Sequence, residues 1–231
     1  MILTAHQPVY IPWLGLFHKI FFADMFCVFD IAQYQTKDYN NRNKIKTNAG
    51  ELWLTVPVES KDHFNKKICD IRIINNGWSK KHIKSIYLAY KKAMYFDMYM
   101  GQLQDILDKK HEFLTDLNFD ILVFMLKSLD IDIPIVKATD YDFQGAKSDL
   151  VLDMCVKLGA DKYIFGSQGG NYANVPSFNA KGIEVYFQDY HHPSYEQLHG
   201  DFIPFMSAID LLFNEGPGSK DILVRDNVLE F

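Results

Sequence analysis

Cysteine is scarce in this chain of 231 residues: Cys27, Cys69 and Cys155 stand far apart, with no Cys-x-x-Cys pair. A thiolate zinc site is therefore not expected, and an odd, dispersed set suits reduced, buried thiols in the cytoplasm. No run of eighteen apolar residues occurs, so no membrane-spanning helix is expected. Residues 1–6 lack a basic start and an unbroken apolar stretch, so no signal peptide is expected. Positive charge is in deficit: 24 Lys and Arg against 29 Asp and Glu leave a net charge of −5. That balance argues against a nucleic-acid partner, whose binders carry a basic excess. The one local basic cluster is Lys37, Arg42, Lys44 and Lys46. Phosphate-binding glycine signatures are also missing. Only Gly15 stands in the first turn, which defeats G-x-G-x-x-G, and residues 166–170 lack the Lys-Ser/Thr ending of a P-loop.

Aromatic side chains, by contrast, are abundant: 13 Tyr, 18 Phe and 3 Trp, or 15% of the chain. They fill cores, but they also line pockets for sugars and bases. Hydrophobic residues make up 48% and charged residues 23%, a globular composition ample for a core without disulfides.

The patterning predicts an α/β fold with a mainly parallel, Rossmann-like sheet and a helical insertion near residues 78–130, in one domain over 1–231. A strand over 2–5, a helix bearing Leu14, Phe17, His18 and Phe21, and a strand over 25–29 read as a βαβ unit with parallel strands. Residues 31–50 read as an Asn-rich loop. Strands are expected over 52–58, 68–74, 133–136, 163–165 and 183–187. Helices are expected after a Ser79 cap, through Phe96–Leu107, over 118–129 with apolar residues nearly all round, after a Ser148 cap to Gly159, and around Phe205–Phe213. Residues 221–231 fit a strand or a tail.

Three polar turns carry the chemistry. The first, after strand one, offers His6 and Gln7 to a phosphate or carboxylate, with Tyr10 and Trp13 as ring faces. Ligands of open α/β sheets bind there, outside strand ends and beside helix N-termini. The second holds Gln33, Tyr34, Asn41, Arg42, Asn43 and Lys44, in which Arg42 can fork onto an oxyanion. The third holds Ser167, Gly169, Gly170 and Tyr172, where glycines let backbone amides approach an anion. In the composite site His6 is a general base or phosphate ligand, and Arg42 with Lys19 or Lys44 neutralises phosphate. Trp13, Tyr34 and Tyr172 stack a ring. The plainer alternative for each turn is packing or a solvated loop. His191, His192, Glu196 and His199 lack metal-site spacing, and no metal is expected.

Several of these residues also carry a resemblance. His6-Gln7-Pro8-x-Tyr10-x-Pro12-Trp13-x-Gly15-x-Phe17-x-Lys19, Asn41-Arg42-Asn43-x-Ile45, Trp53-Leu54-Thr55-Val56-Pro57-Val58 and Ser167-x-Gly169-Gly170-x-Tyr172 resemble the WbqC-like protein family, over nearly the whole chain. The resemblance implies a cytoplasmic transferase or ligase of bacterial surface-polysaccharide (O-antigen) synthesis. Its reaction would attach an amino acid such as glycine to an activated, phosphate-bearing sugar. A non-catalytic nucleotide-sugar- or partner-binding protein of the same pathway is the alternative. The opening strand, His turn and helix also resemble adenylating enzymes, but the HxGH order is absent. ATP and a nucleotide-sugar therefore both stand open as cosubstrates.

Overall fold

The computed structural model describes residues 1–59 and 65–225. At its centre lies strand β1 (Ile2–His6), hydrogen-bonded in parallel to β2 (Met25–Val28) on one side and β6 (Lys162–Phe165) on the other. β5 (Ile135–Lys137) lies beyond β2 and β7 (Glu184–Phe187) beyond β6, giving the all-parallel order β5-β2-β1-β6-β7. The Rossmann-like α/β fold is thus observed. The chain runs outward from β1 through β2 to β5 and then returns to β6 on the far side. Direction reverses between β1 and β6, where a crevice must open at the strands' carboxyl ends.

Each face of the sheet is covered, as parallel sheets require. On β2 the side chains alternate: Phe26 and Val28 enter one core, Cys27 the other. The first core packs α1 (Leu14–Phe21), α2 (Trp78–Tyr90), α3 (Phe96–Asp108), α4 (Leu114–Ser128), α7 (Ile209–Glu215) and α8 (Ser219–Val224). The second packs α5 (Ser148–Leu158) and α6 (Val175–Asn179). Leu3, Phe17, Met154 and Phe178 are fully buried in these layers. Each contributes on the order of 1.5–3 kcal/mol by leaving water.

The structure departs from the sequence reading in places. Arg42–Thr47, expected as loop, is strand β3, paired antiparallel with β4 (Gly50–Thr55) in a separate hairpin. Asn43 within it and Asn41 just before it are buried, so the strand is hidden behind polar letters. β4 stops at Thr55, before Pro57. The expected strand over 68–74 is a 3-10 turn (Ile68–Asp70) followed by isolated bridges, Val58 to Ile73 and Arg72 to Phe113. Ser79 lies inside α2, whose start follows Gly77 at φ 82°. Ser148 opens α5 instead of capping it, and its Oγ accepts the Asn174 N–H at 2.8 Å. Gly159 ends α5 in the left-handed conformation at φ 70°, as the sequence suggested. α4 is apolar on most sides, yet Val123 is exposed. Of residues 221–231, the first four end α8, and 226–231 lie outside the described residues.

Candidate functional site

A cavity of about 710 Å³ opens at the carboxyl end of the sheet, at the crevice between β1 and β6. The end of β1 contributes Ala5, His6 and Gln7, and α1 contributes Lys19. The end of β6 contributes Phe165 and Gly166, and the first turns of α5 bring Lys147, Leu150 and Val151. Asp38, Tyr39 and Asn40 form a further wall.

Two titratable groups meet here. The His6 Nδ1 lies 2.8 Å from the Gln7 carbonyl. A carbonyl only accepts, so Nδ1 carries the proton and Nε2 keeps its lone pair. Burial, and then the charge of Lys19, push the His6 pKa down to about 4, so the ring is neutral near pH 7. The Lys19 ammonium donates to the Ala5 carbonyl at 2.8 Å, and burial pushes its pKa down to about 7. Lys19 can thus hold or release a proton near neutrality, or take up charge when an anion enters.

The first turn is held rigidly. Ile11 sits at φ 43°, a conformation costly for a β-branched residue, and such strain persists only when its surroundings enforce it. Asparagine amides enforce it. Asn40 Nδ2 donates to the Pro8 carbonyl at 2.9 Å, and Asn43 Nδ2 to the Ile11 carbonyl at 2.6 Å. Asn41 Nδ2 donates to the Val56 carbonyl at 2.8 Å, fastening the turn's support to the end of β4. Asn43→Ala leaves the Ile11 carbonyl unpaired beside a strained residue. It is expected to cost about 1–3 kcal/mol, read as a lower urea midpoint at unchanged slope. A loss within 0.3 kcal/mol, roughly the noise of such additivity tests, would refute the clamp.

Two glycines shape the walls. A Cβ on Gly169 would lie 2.5 Å from the Phe165 Cβ, so only glycine lets the 3-10 turn Ser167–Asn171 rest on that buried ring. A Cβ on Gly15 would lie 2.9 Å from the Trp13 Nε1, so glycine lets the indole fold over the start of α1. There Trp13 meets the His6 ring edge-on, with centroids 5.4 Å apart.

Of the residues singled out in the sequence, His6, Lys19, Gln7, Trp13, Gly169 and Tyr172 line this cavity together. The others stand elsewhere. Tyr10 is fully buried and shares a 2.8 Å hydrogen bond with His82. Tyr34 is buried, and Gln33 pairs its backbone with Lys67. Asn41 and Asn43 are the clamps described above. Arg42 donates to the Lys37 carbonyl and lies over the Trp53 ring, and Lys44 pairs with Glu51 at 2.9 Å. Ser167 and Gly170 belong to the glycine turn but not to the lining.

Sequence reasoning did not single out Asp38, Tyr39 and Lys147, which do line it, as does Gln168 of the third turn. Lys147 is exposed and holds φ 52° just before α5. The start of that eleven-residue helix thus lends Lys147, Leu150 and Val151 to the lining, and a helix N-terminus carries the positive end of its dipole. The signal was present but faint: α5 follows the strand that precedes the topological reversal.

These observations define an α/β protein with a cavity at the switch point of a parallel sheet. Residues 7–222 match the WbqC-like protein family, and the chain belongs to it. It is also 35% identical, over 94% of its own length and 95% of the relative's, to a Mycobacterium tuberculosis protein (strain ATCC 25618 / H37Rv) named "Uncharacterized protein Rv1507c". No solved structure matches it significantly. Among the described residues no helix is long and apolar enough to cross a membrane, and no group of three or more His, Cys, Asp or Glu could hold a metal ion.

Proposed function

We propose that this protein is a transferase or ligase of bacterial surface-polysaccharide synthesis that acts on an activated, phosphate-bearing sugar, with an amino acid such as glycine as the attacking group. The observation that carries the proposal is the pairing of His6 and Lys19 in one cavity, each biased by burial toward its neutral form. In the transferase case the amine nitrogen bonds to the sugar carbon as the bond to the phosphate-bearing leaving group breaks, that group departs with the electron pair, and His6 Nε2, which keeps its lone pair, accepts the proton the amine loses. Lys19 and Lys147, with the first turn of α5, supply positive potential for phosphate. Trp13, Tyr39 and Tyr172 supply faces for a sugar or base.

Arg42 and Lys44 do not line the cavity, so the phosphate role given to them by sequence passes here to Lys147 beside Lys19. The test is a thermal-shift panel of ATP and of UDP-, GDP-, dTDP- and CMP-sugars, each with and without glycine. At a ligand concentration of 100 times Kd the native state gains about 2.7 kcal/mol, a rise of several degrees for a chain of this size. At least one nucleotide-sugar is expected to give that rise. His6→Asn should keep the rise yet stop product formation. Silence across the whole panel would sink the small-molecule reading, and full turnover by His6→Asn would remove its base.

A further inference from the structure

The cavity does not end at its own wall. Trp13, inside it, meets Tyr39 with ring centroids 5.6 Å apart, and Tyr39 meets Trp53 at 5.8 Å on the outer face of the hairpin. Tyr39 and Trp53 are 38% and 40% exposed, enough area for a ligand to cover. Strand periodicity sets what surrounds them. Arg42 and Lys44 point to the side opposite Asn43 and Ile45, and cross-strand pairing sets Trp53 directly opposite Lys44. The Arg42 guanidinium lies 4.4 Å from the Trp53 ring centre and the Lys44 ammonium 5.8 Å. Arg42 Nε has no acceptor among the described residues, and Lys44 is answered by the half-exposed Glu51. An acidic protein has thus gathered cations and exposed rings at the mouth of its cavity.

We propose that this hairpin face is a second subsite, which holds an acidic saccharide unit of a chain whose reacting end lies in the cavity. The proposal rests on the reading of the cavity as a sugar site. Ring geometry selects the ligand. A planar base is best held between parallel faces, but these rings are inclined at 55° and 44° to one another, and Arg42 already covers Trp53. The three rings form a ramp, not a slot. Successive sugar rings can lay apolar C–H faces on Trp13, on Tyr39 and on the part of Trp53 that Arg42 leaves exposed. Their carboxylates then meet the positive charges of the Arg42 guanidinium and the Lys44 ammonium beside Trp53.

The test is titration of the full chain with tetragalacturonate, a uronate oligosaccharide without phosphate, followed by tryptophan fluorescence and calorimetry at low salt. A neutral tetrasaccharide and UMP serve as comparison ligands. The uronate is expected to bind the wild type, and Lys44→Glu and Trp53→Leu are each expected to weaken it at least about tenfold. Both side chains are partly covered, and a thermal midpoint near that of the wild type checks that each variant is folded. Binding should weaken further as salt rises, because the attraction is between charges on a face that water still reaches in part.

No binding by the wild type, or equal binding by both hairpin variants, overturns the subsite. Equal affinity for the neutral tetrasaccharide overturns the role of the cations. UMP binding that Trp53→Leu abolishes overturns the saccharide assignment in favour of a nucleotide. If the uronate fails while nucleotide-sugars still stabilise the protein, the hairpin subsite falls and the cavity reading stands. If the uronate binds while that panel is silent, the cavity reading falls, and with it the claim that the bound chain's reacting end lies there.

Discussion

Replacing Lys19 with methionine is expected to make the protein more stable at pH 7 while weakening anionic ligands at least tenfold, a loss of about 1.4 kcal/mol of binding. A lysine in water titrates near 10.5, but in the folded chain burial brings Lys19 to about 7. Between these values the unfolded chain holds one proton more than the folded chain. Wild-type stability must therefore rise with pH across that window and level off on either side of it. Methionine is of similar length and removes the penalty. The gain is a few kcal/mol, less about 1 kcal/mol for the hydrogen bond lost at the Ala5 carbonyl. Urea titrations at pH 7 and pH 10 read both the gain and the flattened slope. A less stable variant at pH 7 with the wild-type pH slope would show that Lys19 is no strained cation. A protein that keeps a destabilising lysine in a cavity is one whose site benefits from the charge.

The second large effect lies away from the cavity. Asp210 is fully buried, and its carboxylate accepts hydrogen bonds from Tyr90, Tyr195 and Gln197, each at 2.8 Å. Burial pushes its pKa up, and those three donors oppose that shift. Nearby, the buried Lys46 donates to the carbonyls of Gly200 and Asp201 at 3.1 and 2.6 Å. Asp210→Ala strands three donors and leaves Lys46 without the one buried carboxylate that offsets its charge. It is expected to cost about 3–5 kcal/mol, the penalty of breaking a buried charged network. Asp210→Asn keeps the shape and one acceptor and should cost less. Amide exchange over residues 195–209 should quicken in step with the loss. A deficit below about 1 kcal/mol for Asp210→Ala would mean that the network is no more than an ordinary hydrogen bond.

The sheet was legible because its strands are short apolar runs and the helices between them keep period 3.6, as in Val151, Met154 and Cys155 of α5. The hairpin was not. Asn41 and Asn43 occupy inward positions where a hydrophobic residue would have signalled a strand. They can do so only because each amide finds a backbone carbonyl that no sequence pattern reveals. The site divided along the same line. His6 ends β1, Gln7 and Trp13 lie in the turn after it and Lys19 stands on the helix that follows, so their proximity was local and readable. Lys147 and Tyr39 reach the cavity through tertiary closure, which sequence spacing does not encode. Arg42 and Lys44 were placed in the site because they neighbour it in the chain. Strand alternation turns them outward, and that turn is what gives the hairpin its cationic face.

The reversal between β1 and β6 also sets when the cavity can come into being. Thr4 Oγ1 donates to the Ile164 carbonyl across 160 residues of chain. Closing so long a loop is entropically costly and is not rewarded until β6 docks. A nascent chain that already displays His6, Trp13 and Lys19 has no far wall: neither α5 nor the glycine turn is yet beside them. The cavity is therefore complete only once contacts across most of the chain have closed, and half-made chains lack it.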